Sequence, residues 1–136
     1  MTGPRRLAGE EGAVAIAGML LTLALALLIG GGVDIAHAFI LRADLSAIAE
    51  DAALAGAGQL DLDAWRQGHL ALDPQLARAA AEAELDANPP LSGSVSADRG
   101  SVRVEVSRAF PTLALRLVGI SRLDVTASAR AAPETP

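Results

Sequence analysis

Between Gly12 and Val33 the chain carries no charged side chain. Within that run, Ala13–Ile29 reads AVAIAGMLLTLALALLI. Twenty-two uncharged residues in an α-helix extend about 33 Å, close to the ~30 Å hydrocarbon thickness of a bilayer. A helix apolar all round has two homes, a membrane or the centre of a large protein. The roughly 100 residues that remain are too few to wrap one. The run is therefore read as a transmembrane helix over 12–33, with 1–11 as a cytoplasmic N-terminal flank. Arg5 and Arg6 precede the run and only Arg42 follows it closely. The positive-inside rule then places the N-terminus in the cytoplasm and the rest outside, in a single pass through the plasma (inner) membrane. A rival reading is a cleaved secretory signal, with Ala36-His37-Ala38 as the cleavage site. Against it, the apolar run is longer than a usual signal core and the helical pattern continues through the cut.

Beyond Val33 the pattern becomes amphipathic. Asp34, Ala38, Leu41, Leu45, Ile48, Ala52 and Ala55 recur at alternating spacings of four and three. Apart from Asp34 at the membrane edge, this is a coiled-coil type of seam. Ala38, Leu41, Leu45, Ile48, Ala52 and Ala55 are thus candidate residues for packing against a partner helix, in a homo-oligomer or another protein; the chain's own sheet is the other surface, and the default for a single amphipathic helix. The helix is expected to run from about Ala13 to Ala57, roughly 65–70 Å, with 34–58 as its amphipathic continuation and Gly56 and Gly58 as its end. Gly30-Gly31-Gly32 is read either as a hinge or as a flat face for close packing.

Residues 59–131 read as a small extracytoplasmic domain. Gln59–Leu72 is a polar connection. Asp73-Pro74 starts a helix, with Asp as N-cap and Pro in the first turn. That helix is expected to stop at Asn88-Pro89-Pro90 and to line one face with Leu76, Ala80, Ala83 and Ala87. Alternation follows: Leu91, Gly93, Val95 and Ala97, a turn at Asp98-Arg99-Gly100, then Val102, Val104 and Val106. Pro111 is read as opening a short helix, Thr112–Val118, that docks on the sheet, on the membrane surface or on a partner. Leu123, Val125, Ala127 and Ala129 alternate in a last strand, and 132–136 is a disordered tail. The fold class is α+β: a long transmembrane and amphipathic helix with a small domain of one helix, a three-stranded, mostly antiparallel sheet and a short helix. Strand order is open. Aromatics are 2% of the chain, so the core must come from Ala, Leu, Val and Ile.

Chemistry-bearing residues are sparse. There is no Cys, which removes disulfides and thiolate metal sites. His37 and His69 are isolated. Asp61, Asp63, His69 and Asp73 lack the alternating, Gly-punctuated spacing of a calcium loop and read as a solvated acidic loop. Arg99, Arg103 and Arg108 are a candidate basic cluster on the hairpin, but with Asp98 and Glu105 beside them a cross-strand charge face is the favoured reading. A net charge of −5 disfavours nucleic acid. No phosphate loop, nucleophile elbow or metalloprotease helix is present. The expectation is a protein that is not an enzyme, with no cofactor, no metal and no catalytic residue, whose partners are membrane lipid and other proteins.

Certain segments resemble a known family. Glu11-Gly12-Ala13-Val14-Ala15-Ile16, the apolar span, Gly32-Val33-Asp34, Leu41-Arg42-Ala43-Asp44-Leu45 and Ala49 to Ala57 are similar to the N-terminal region of TadE/TadG-like proteins, the pilin-like proteins of the tight-adherence (Flp) pilus system. Phe110-Pro111-Thr112-Leu113, Val118-Gly119-Ile120 and Val125 to Ala129 resemble the end of that family's external domain. The resemblance implies a bacterial cell-envelope protein that assists assembly of a Flp/Tad pilus or a related secretion apparatus and contacts other Tad proteins. Prepilin-type members carry Glu five residues after the processed Gly. Here that position is Val14 counted from Gly9, or Ala17 counted from Gly12, so the resemblance is to a permanently anchored, TadG-like component. The alternative function is a membrane-tethered envelope binding or adhesion module.

Overall fold

A computed structural model describes residues 7–88 and 91–134. The flank up to Arg6, the Pro89-Pro90 stop and the last two residues of the tail lie outside these.

One helix dominates the chain. α1 spans Leu7–Ala57, 51 residues, or about 76 Å at 1.5 Å per residue. It starts a turn and a half before Ala13, because Leu7, Ala8, Glu10 and Glu11 are good helix formers. It continues through Gly30-Gly31-Gly32 without a break. It is long and apolar enough to cross a membrane. From Gly12 to Ile29 no side chain is buried, whereas beyond Gly31 one face sinks into the core.

The connection after α1 is more ordered than its polar composition suggests. It contains a short helix, α2 (Leu62–Arg66), capped by the Asp61 carboxylate, which accepts from the amides of Asp63 and Ala64. The ends of the connection are tied together: the Asp61 amide donates to the Ala71 carbonyl and the Asp73 amide to the Gln59 carbonyl, each at 2.9 Å. Leu72 is fully buried.

α3 (Pro74–Asp86) begins as the sequence indicates, with Asp73 Oδ1 accepting from the amides of Gln75 and Leu76 at 2.9 and 3.1 Å. Its inward face differs from the expected one. Ala77 and Ala81 are buried, with Leu85 partly covered, while Leu76, Ala83 and Ala87 are exposed. Alanines lie all round this helix, so periodicity alone does not select a face. The choice falls where α1 can be approached most closely. Gly56, buried in the last turn of α1, lets the α3 backbone in: a Cβ placed there would lie 2.8 Å from the Ala77 carbonyl oxygen and 3.0 and 3.1 Å from the Val102 methyls. Gly56 therefore serves packing, not helix termination. Gly56→Ala gains about 1 kcal/mol of helix propensity but overpacks a backbone atom that cannot swing aside, at about 1–3 kcal/mol. A lower thermal midpoint is expected. An unchanged or higher midpoint would show that α3 can slide away freely.

The sheet is antiparallel with order β1-β2-β3, formed by β1 (Ser92–Ala97), β2 (Val102–Pro111) and β3 (Arg122–Ala131). Asp98 sets the first turn, its Oδ1 accepting from the amides of Gly100 and Ser101 at 2.7 and 2.8 Å. Val102, Val104 and Val106 are fully buried and face Val95 and Ala97 on one side, Ala127 and Ala129 on the other. α1 and α3 cover this face, so the core is a single helix-on-sheet layer. Pro111 closes β2 and does not open a helix. It pairs with Arg122, in a stretch where β1 has already ended, so its missing N–H deprives no strand of a ladder bond. The short helix that follows, Leu115–Val118, is a 3-10 turn ending at Gly119, whose φ of 94° is left-handed.

Candidate functional site

The predicted seam lies against the chain's own sheet. Leu41, Leu45 and Ala52 are buried in the core, and Ala38 packs against it. Ile48 and Ala55 are half-buried. The buried stripe also takes in Ala49, Ala53 and Gly56. Leu41, Leu45 and Ala52 are thus unavailable to a neighbouring helix. A partner would have to meet a different face of α1.

The unexpected member of the stripe is Asp34. It is 2% exposed, and its carboxylate reaches across to the connection between β2 and β3. Oδ1 accepts from the Leu113 amide at 2.9 Å; Oδ2 accepts from Ala114 at 2.9 Å and Leu115 at 3.0 Å. Ala114 is the N-cap of the 3-10 turn and Leu115 its first residue, so these amides have no acceptor within the turn. A residue about 80 positions away in sequence therefore caps that turn. The amides of Leu113 and Leu115 first, then Ala114 and nearby His37, hold the carboxyl below its ordinary value of 3.8, against burial, which pushes it up.

Further contacts hold the connection and the end of β2 against α1. A Cβ on Gly30 would collide with the Cβ of Ala114, and one on Gly31 would touch Leu115 Cδ2 at 3.9 Å. The glycine run is a flat packing face for the chain's own loop. One turn beyond Asp34, His37 stacks on Phe110 with ring centroids 5.1 Å apart and planes 10° apart. Thr112 closes the connection, its hydroxyl donating to the Ile120 carbonyl and its amide to the Ser121 carbonyl.

Around this joint the surface is apolar. Ile35 and Phe39 on α1 are exposed, as are Leu113, Leu117, Val118 and Ile120 on the connection. Ile35, Ala38, Phe39 and Arg42 border an open groove of about 290 Å³ whose other wall is Leu123–Thr126 of β3. The arrangement can hold an apolar surface or side chain. It brings no nucleophile and base together.

The other predicted polar groups are scattered. Asp61 and Asp73 are helix caps. Asp63 pairs with Arg66 at 2.9 Å, exposed to solvent. Among the described residues no three His, Asp or Glu side chains come together as a metal site. Arg103 and Arg108 lie five positions apart on an unbroken strand and so fall on opposite faces; the basic cluster does not form. Arg130 instead donates to Ser101 Oγ at 3.0 Å. No protein-family model, curated protein or solved structure matches the chain.

Proposed function

We propose that the chain is a membrane-anchored, pilin-like component that assists assembly of a Flp/Tad-type pilus or a related secretion apparatus, acting through protein contacts and without catalysis. The observation that carries this reading is the division of labour along one helix. The first part of α1 is bare and apolar, and the second part is the spine of a small α+β domain. A pilin-like subunit has this form, and the residues that resemble the TadE/TadG family lie along the helix, at the end of β2, in the β2–β3 connection and in β3. The flanking Arg5 and Arg6 orient the N-terminus to the cytoplasm. Partners dock on the face of α1 that the sheet leaves uncovered, where Phe39 borders the groove.

The test is Phe39→Asp in the full chain, expressed in the native host. Phe39 is 69% exposed, so the domain should fold and the protein should stay in the membrane. Surface pili are expected to be lost. Unchanged pili would sink the assembly reading. Intact pili with lost cell adhesion would instead favour a tethered binding module that uses the same groove.

A further inference from the structure

We infer that the β2–β3 connection, residues 112–120, is a second membrane contact: its apolar side chains enter the outer lipid interface beside the α1 span. This rests on the reading of α1 as a membrane anchor. Three independent observations converge on it.

The first is position. Ala114 seats on Gly30, which lies three residues inside Val33, the outer end of the uncharged run. At 1.5 Å per residue that is about 5 Å within the apolar zone, the depth at which interfacial segments lie. The connection is thus carried to the bilayer surface by the anchor itself.

The second is exposure and charge. Leu113 and Leu117 are 68% and 71% exposed, and Val118 and Ile120 are exposed with them. Between Phe110 and Leu123 the only charged residues are Arg116 and Arg122. In a chain of net charge −5, a local excess of cations suits lipid phosphates, with the long arginine stems reaching outward from the apolar side chains.

The third is backbone satisfaction. Irregular backbone survives near lipid only when its polar groups are paired within the protein. Here the amides of Leu113, Ala114 and Leu115 donate to Asp34. Those of Thr112, Leu117, Gly119 and Ile120 donate to carbonyls of the same connection or its edge. Seven of the nine amides from Thr112 to Ile120 are paired in these ways. The buried carboxylate of Asp34 has the same logic: it supplies the acceptors that water would otherwise provide.

The absence of Cys makes the test direct. The full chain, as Leu117→Cys, Leu25→Cys or Ser94→Cys, is labelled with an environment-sensitive fluorophore and reconstituted in vesicles of phosphatidylcholine and phosphatidylglycerol. Quenchers are placed either near the lipid headgroups or deep in the tails. Label 117 should be quenched by the shallow lipid quencher at least about threefold more than label 94 on the exposed sheet, and label 25 should respond most to the deep one. If label 25 is quenched and label 117 behaves like label 94, the second contact is refuted while the anchor stands. If label 25 is not quenched, the anchor reading fails and this inference fails with it. If label 117 is shielded from an aqueous quencher yet untouched by either lipid quencher, a protein surface covers the connection and the lipid assignment is wrong.

Discussion

Leu45→Glu is expected to abolish folding of the sheet domain. Leu45 is 0% exposed, at the centre of the face that α1 presents to the sheet. Truncation to Ala would remove packing on both sides and cost about 2–5 kcal/mol. Glutamate adds an unpaired carboxylate in an environment of valine and alanine, a larger penalty than truncation. A domain this small has only about 5–15 kcal/mol in total. The expected result is loss of the β contribution to the circular dichroism of the purified protein in detergent, with rapid proteolysis after the apolar section of α1. Ile48→Glu, at a half-buried position, should be milder and leave a cooperative transition. A folded, protease-resistant Leu45→Glu domain would mean that α1 does not pack on its own sheet and that the seam is free for another subunit.

Asp34→Ala should give the complementary phenotype, a detached connection on an intact core. Three amides lose their acceptor together, while Val102, Val104 and Val106 keep every neighbour they have. Amide exchange at Leu113, Ala114 and Leu115 should rise by more than about tenfold, with β2 and β3 still protected. Asp34→Asn keeps one acceptor but turns an NH2 toward donors, so it should rescue only in part. Gly30→Val should reach the same detached state by steric means, through the collision with Ala114. The clamp should also respond to acid. Its carboxyl sits below 3.8 when folded, so the unfolded chain takes up the proton first as pH falls. The stabilisation is complete above 3.8 and disappears as pH drops through the lower folded value. Exchange at 113–115 that stayed equally slow across that range would contradict the clamp.

These two residues mark what the sequence discloses and what it hides. Leu41 and Leu45 announce themselves by spacing, since a buried helix face must recur every three or four positions. The Asp73-Pro74 start and the valine alternation are equally local signals, and they appear where expected. Asp34 sits on the same periodic stripe but reads as a polar interruption at a membrane edge. Its partners are backbone amides, which have no sequence signature. The face of α3 is hidden for another reason: a helix of alanines offers several equivalent faces, and Gly56 on a different element decides among them. Pro111 misleads because proline opens helices and closes strands with equal ease. Which of these holds depends on where β1 ends, a matter of strand order that no local pattern contains.

The continuity of α1 has a mechanical consequence. No flexible tether separates the apolar section of α1 from the core, because the same helix runs through both without a break. The section from Asp34 to Ala57 is a stiff arm of about 36 Å. If the apolar section spans a bilayer as proposed and tilts by roughly 20°, the far end of the domain swings by about 12 Å. The Asp34 and Gly30 contacts brace that arm at its base, much as a bracket braces a mast. In a protein anchored as proposed, the direction in which the domain points then follows the tilt of α1, and a neighbour that tips α1 re-aims the whole domain.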